Sequence, residues 1–319
     1  MCTTLVIIIG VTSASLVGVS VDSLQHQTTA TLVSIERDGQ LSTLAKIEGG
    51  DGILPNLFAA DDNGATVAGF TATGSVLRRL GYSGERTKTW TYGADFLPTN
   101  MLSDPTSGVA ILDARNLTDR THSVFEVDDS GRRTVKYTFG PKVIVDVGVS
   151  TYCAKGRIFF LTLRDDDTAS GVDLVRVDLD GGRLLGRASF EEQPQAILWE
   201  QSAATLYAWI QRGPPNRTKW GACLVPVDPE SGRSGEPVAC FDGMVASLAS
   251  TPMALDPVER VVFSALITET HQPKVPNVPH WVSVDLKSGR TTQTQPSAFV
   301  IGLSAWQRNA SIAPHGQSR

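Results

Sequence analysis

The sequence carries no Gly-x-Ser-x-Gly, no His-Glu-x-x-His, no Cys-x-x-Cys and no Gly-rich phosphate loop. Those absences remove the local signatures of a serine-hydrolase elbow, a zincin helix, a redox dithiol and a nucleotide loop. The 28 Lys and Arg against 33 Asp and Glu leave a net charge of −5, and no basic cluster marks a nucleic-acid binder. The five histidines (His26, His122, His271, His280, His315) share no metal-ligand spacing. His122, His271 and His280 fall in or beside expected loops, where exposed histidine is ordinary. No amphipathic helix of ten or more residues is legible, and the apolar run 5–11 is too short to span a bilayer.

What is present is a chain of 319 residues, 41% hydrophobic, long enough to bury a large core. Apolar residues 5–11 followed by the small residues 12–15 predict a secretory signal over 1–15, although no Lys or Arg precedes the run. The alternative is a buried strand. Three glycosylation sequons, at Asn116, Asn216 and Asn309, lean toward a secreted glycoprotein, against a cytoplasmic alternative. Cys223 and Cys240 flank a hairpin-like segment and are candidates for a disulfide; Cys153 then lacks a partner apart from Cys2.

Internal repetition organises the rest. "LVSIERDGQLS", "VFEVDDSGRRT", "LVRVDLDGGRL", "LVPVDPESGRS" and "WVSVDLKSGRT" begin at Leu32, Val124, Leu174, Leu224 and Trp281, with a degenerate copy at Val76. The acidic anchors are Glu36, Asp128, Asp178, Asp228 and Asp285, with Gly81 at that place in the degenerate copy. An Asp before a nearby Gly suits a hairpin turn: the carboxylate accepts backbone N–H groups and Gly takes the positive φ. These aspartates are therefore expected to turn the chain at the periphery and not to form a ligand set. A second feature recurs in step: an apolar strand, an Asp turn and another apolar strand, as in "ILPNLFAADDNG" and "PMALDPVER".

Four strands repeated every 40–50 residues are the pattern of a β-propeller. Complete units fall at 53–92, 96–139, 143–190, 194–241 and 244–295. Residues 299–306 read as a first strand with nothing after it, and 16–48 as later strands with none before. Joined, they make a composite blade. The expectation is an all-β chain with one six-bladed domain over 16–306 and a polar tail over 307–319. Seven blades would require residues 1–12 as a structural strand. The units resemble the broad superfamily of quinoprotein-like, YVTN-type and WD-type propeller repeats. Those motifs mark the blade and carry no functional residue with them.

The acidic run Asp165, Asp166 and Asp167 opens a loop and offers oxygen ligands suited to Ca²⁺. The loops between second and third strands (23–29, 115–121, 164–171, 212–219, 268–280) are the variable ones. Loops between blades, on the same face, bring Asp51, Asp95, Glu191, Glu192 and Asp242, candidates for an acidic axial mouth. The leading expectation is a non-enzymatic module without a cofactor, binding a protein or glycan on that face. The alternative follows from resemblance: several propellers of this blade count hold calcium at the inner ends of their first strands. Here that implies a calcium-dependent hydrolase or lactonase with Asn56, Asn100 and Asp146 as ligands. Asn56 and Asn100 are 44 apart while the Leu-Pro copies are 43 apart, so their side chains are expected on opposite sides of the strand.

Overall fold

The computed structural model describes residues 15–21, 30–47, 53–61, 64–82, 87–165, 171–213, 221–246, 252–268 and 278–306. The described residues form strands and turns, and no helix among them is long and apolar enough to cross a membrane. β1(Ser15–Val21), β2(Ala30–Ile35) and β3(Leu41–Ile47) form a sheet with the last strand, β25(Phe299–Trp306), which pairs antiparallel with β1. The next four strands are β4(Ile53–Asp61), β5(Gly64–Thr71), β6(Gly74–Leu80) and β7(Thr87–Thr91). They are followed by β8(Phe96–Ser103), β9(Ala110–Asn116), β10(His122–Val127) and β11(Arg133–Phe139). A single parallel pair, Leu57 with Met101, joins these two meanders. β12(Val143–Cys153), β13(Ile158–Asp165), β14(Asp173–Asp178) and β15(Arg183–Ser189) make the next sheet. β16(Pro194–Glu200), β17(Thr205–Arg212), β18(Gly221–Val227) and β19(Ala239–Asp242) make another. In the last, the first strand is split into β20(Met244–Val245) and β21(Met253–Asp256), ahead of β22(Val261–Thr268), β23(Pro279–Asp285) and β24(Thr291–Thr294).

Burial explains the run patterns. Second strands such as "IFFLTLRD" and "TLYAWIQR" are buried on both faces, so they read as continuous apolar runs without alternation. Fourth strands such as "RLLGRAS" are mostly exposed, as outer edges are. Hydrophobic clusters fill the seams between successive sheets. Ile111 and Val124 meet Phe159, Leu161 and Val175 across one seam. Phe160 and Leu174 meet Leu206 and Val225 across the next. Leu16 and Val33 meet Phe263 and Trp281, so the first and last parts of the chain also share a seam.

Two turn types recur. Between third and fourth strands, Asp128, Asp228 and Asp285 each accept from the backbone N–H two residues on, at 2.9, 2.9 and 2.8 Å. Gly131, Gly232 and Gly289 close those turns at positive φ. The carboxylates are held below the usual range, Asp128 chiefly by the Ser130 hydroxyl, Asp228 chiefly by the Ser231 hydroxyl and Asp285 chiefly by the backbone N–H of Ser288. Between first and second strands, the residue four after the leading position is left-handed: Gly108, Arg157 (φ 48°), Ala204 (φ 50°) and Arg260 (φ 60°). Ala204 gains nothing for the cost of its Cβ there. Ala204→Gly is expected to raise the free energy of unfolding by ~0.5 kcal/mol, the relief of a left-handed alanine less the extra freedom of glycine when unfolded. Urea denaturation measures it.

The expected bridge is present. Cys223 and Cys240 are directly opposite in the β18–β19 ladder and form a disulfide, while Cys153 is free and buried.

Candidate functional site

Because the strands alternate in direction, second and third strands connect at one end of each sheet, where one sheet also leads to the next, and the stereotyped Asp-Gly hairpins lie at the other. At the variable end the first strands are irregular. Each ladder from a first to a second strand is interrupted near the fifth residue of the second strand. Residues 99, 195 and 301 are single insertions, while 54–57 and 146–149 each stand opposite one residue. In the split strand, β20 ends opposite Ile267 and β21 begins opposite Ser264, so the ladder is interrupted beside 265 and 266. Short and long interruptions thus alternate from sheet to sheet. Such bulges re-aim side chains and are concentrated next to functional sites.

Asp146 lies in one long bulge. Its carboxylate accepts from Thr162 Oγ1 at 3.1 Å and faces Arg164 Nε at 3.3 Å. Burial outweighs both partners and pushes its pKa up. Asn100, fully buried on the adjacent β8, donates to the Asp146 backbone carbonyl at 3.2 Å, and its Oδ1 has no partner. The parallel pairing of Leu57 with Met101 sets the backbone of Asn56 in register with that of Asn100. The 44-residue offset is therefore the true register. The 43-residue spacing of the Leu-Pro copies misleads because the two strands carry interruptions of different length. Asn56's side chain lies outside what is described. The carboxylate of Asp146 is a liability to stability at neutral pH, since a raised pKa makes its ionisation unfavourable in the folded state. Asp146→Asn is expected to raise the melting temperature at pH 7. The gap to wild type should shrink as pH falls toward the ordinary carboxylate range, because wild type then carries the proton too.

The other candidate acids do not gather. Asp165 pairs with Arg187 at 2.8 Å, Glu192 is held by Arg212 at 2.7 Å, and Glu191 faces Arg233 at 3.9 Å. Asp95 and Asp242 are exposed. No group of three or more His, Cys, Asp or Glu side chains suited to a metal occurs among the described residues. Asp51, Asp166, Asp167, Asn216 and Asn309 lie outside the described residues, as do residues 1–14 of the expected signal over 1–15, the tail over 307–319, and His26, His271 and His315. Asn116 ends β9, with its Oδ1 accepting from the Thr118 N–H at 2.8 Å.

Sequence reasoning missed three features at this end. Leu117 (49% exposed) stands in the β9–β10 loop, and Ile144 (38%) and Val147 (42%) stand on β12, apolar side chains facing solvent on a first strand. His280 is bonded at both ring nitrogens, by Thr268 and by Gln293, and burial lowers its pKa. His122 corrects the reading of an ordinary loop-edge histidine: it is 1% exposed, with neither ring nitrogen hydrogen-bonded. The signal was its place opposite Arg115 and beside Asp113, which only strand register reveals.

No protein-family model matches the sequence, and no curated protein matches it. Solved structures do match. A crystal structure of a nidogen/laminin complex aligns with a TM-score of 0.57 at 12% identity, over 92% of this chain and 98% of that one. A protein from Lactobacillus plantarum aligns with a TM-score of 0.52 at 10% identity, over 92% and 99%. An oligogalacturonate lyase in complex with manganese gives a TM-score of 0.50 at 13% identity, over 88% and 73%. Identities this low speak to the fold alone, and the fold is a β-propeller.

Proposed function

We propose that the chain is a six-bladed propeller, closed by the pairing of β25 with β1, and that it is a binding module for a protein or glycan at the variable-loop end. Support for closure is the composite sheet together with the seam shared by Leu16, Val33, Phe263 and Trp281. The binding reading rests on one observation above others: Leu117, Ile144 and Val147 are exposed apolar side chains at the end where the loops vary. Contiguous exposed apolar groups mark interaction surfaces, whereas single ones, such as Val135 and Val258 elsewhere, are ordinary, so the reading requires these three to act together. The nidogen/laminin neighbour is a propeller found with a protein partner, which is compatible with that use. The disulfide and the sequons favour a secreted setting.

The test is a panel of extracellular proteins and a glycan array, probed with wild type, with the double variant Ile144→Asp/Val147→Asp, and with Lys287→Glu at the hairpin end. Binding by wild type and by Lys287→Glu, lost in the double variant with unchanged circular dichroism, is the expected result. Binding that survives the double variant sinks the reading.

A calcium-dependent hydrolase is the second reading, favoured by the position of Asp146 beside Asn100 on adjacent first strands. The donors fit a hard cation in part: an orphaned amide oxygen and a carboxylate disfavoured by burial, with Arg164 competing. Millimolar calcium should then raise the melting temperature of wild type and not that of Asp146→Asn. An unchanged wild-type midpoint removes this reading.

A further inference from the structure

Among the described residues, five of the ten buried side-chain nitrogen and oxygen atoms without a hydrogen-bond partner belong to four residues of one sheet: Asn100, Asp113, Arg115 and His122. Native structures leave few such atoms, and a concentration of them calls for an ion or water. Strand register explains why they meet. Asp113 is opposite Asn100 on β8 and Val124 on β10, and Arg115 is opposite His122. Side chains of directly paired residues share a face. Val124 and Ile111 of that face pack against Val145, Phe159 and Leu161, so the group lies in the seam between β8–β11 and β12–β15.

Asp113 is fully buried, and Asn100 likewise. One Asp113 oxygen is taken: Thr99, the single inserted residue of β8, donates its hydroxyl to Oδ2, and Asn100 Nδ2 approaches it at 3.4 Å. The other oxygen, Oδ1, is free and points toward His122 Nδ1, 3.9 Å away. That is too far for a hydrogen bond. It suits two ligands of one ion, which stand roughly 3.4 Å apart at the tetrahedral angle when the bonds are about 2.0–2.2 Å, so a shift of about 0.5 Å closes the pair. A buried carboxylate without a close cation is costly, and an ion answers that cost where a water does not. Arg115, half-buried at the loop end of the seam, has its Nε unbonded as well.

We propose that Asp113 Oδ1, His122 Nδ1 and Asn100 Oδ1 bind a divalent first-row transition-metal ion, of which zinc is the simplest. The imidazole selects for such an ion over calcium or magnesium, which prefer oxygen throughout. The site shares Asn100 Oδ1 with the calcium alternative but takes its other ligands from β9 and β10 instead of Asp146, so the two readings compete for that oxygen; it stands whether or not the binding-module reading does. Its buried place implies that the ion enters as the chain folds and ties the second and third strands to the first.

The test uses the full chain, unfolded in chelator and refolded with Zn²⁺, Mn²⁺, Ca²⁺ or no metal. Zinc should bind at one ion per chain after desalting and raise the melting temperature, with manganese weaker and calcium without effect. His122→Gln should weaken zinc at least ~100-fold, since loss of even a supporting contact to a ligand costs 10–100-fold. Because His122→Gln could simply misfold, the second measurement is on wild type: Co²⁺ in place of zinc should give the visible ligand-field absorption of a nitrogen-and-oxygen site, removed by chelator. Lys287→Glu, exposed at the hairpin end, should leave zinc binding unchanged. Zinc binding equal in wild type and His122→Gln, no stoichiometric zinc, or a water found between Asp113 and His122 in a crystal grown with zinc would each overturn the proposal.

Discussion

Arg157→Ala is expected to lower the free energy of unfolding by about 2 kcal/mol, seen as an earlier urea midpoint with an unchanged slope. Arg157 stands in the turn from β12 to β13 and reaches back across the seam to the preceding sheet. It donates to Asp104 at 2.7 Å and to Glu126, and to Asp180 of its own sheet at 2.6 Å. Asp104 is only 3% exposed and Glu126 17%, so removing the cation strands charge that water cannot reach. A fully buried pair would lose about 3–5 kcal/mol when broken. The figure is smaller here because the Arg157 side chain keeps 30% of its exposure and Lys136 still serves Glu126 at 2.8 Å. Alanine is the right replacement, since it retains a Cβ at the left-handed φ of 48° and isolates the charge. Arg157→Gly should be less damaging than Arg157→Ala by ~0.5 kcal/mol, the same left-handed relief less glycine's extra unfolded freedom as at Ala204. Adding Asp104→Asn to Arg157→Ala should recover part of the loss, whereas simple packing loss would leave the two changes additive.

What the sequence discloses here is what local chemistry decides. The hairpins at Asp128, Asp228 and Asp285 are legible because both halves of the turn are adjacent in the chain: a carboxylate that accepts N–H bonds two residues on, and a glycine free to take positive φ. The strand groups follow, since the spacing of those hairpins is the spacing of the sheets. The pairing of Cys223 with Cys240 is legible for the same reason, as the register of one hairpin. The candidate site is not local. His122 follows a polar turn and looks like a surface residue, and its burial comes from a neighbouring sheet contributed by β12–β15. Asp113, between Leu112 and Ala114, shows nothing until β8 lays Asn100 and Thr99 against it. Asn56 and Asn100 are misregistered by sequence alone because the interruptions differ: four residues stand opposite Ala68, one residue between Ala114 and Asp113. Bulges shift register without altering the apolar pattern, so no periodicity reveals them.

Removing the disulfide has the largest expected effect. Cys223→Ala/Cys240→Ala should lower the free energy of unfolding by about 3 kcal/mol, the cost attached to freeing a loop of roughly this length in the unfolded chain. The bridge spans a separation of 17 residues and closes β18 onto β19, the outermost strand of its sheet. That outer strand is short. β19 runs only from Ala239 to Asp242 and is reached through a long turn containing Asp228 and Gly232. Four ladder positions would hold it without the covalent tie. Loss should therefore be felt first at β19, and next at Phe241, which packs on Trp209 in the seam toward β22 and β23. Hydrogen exchange should show lost protection at 239–242 and at 221–224 before any change in β12–β15. The alanine pair keeps the site apolar, which matters because Cys223 is fully buried against Leu206 and Val225. A thiol-reducing agent on wild type should reproduce the same local loss. If reduction leaves protection at 239–242 intact, β19 is held by its seam contacts and not by the bridge.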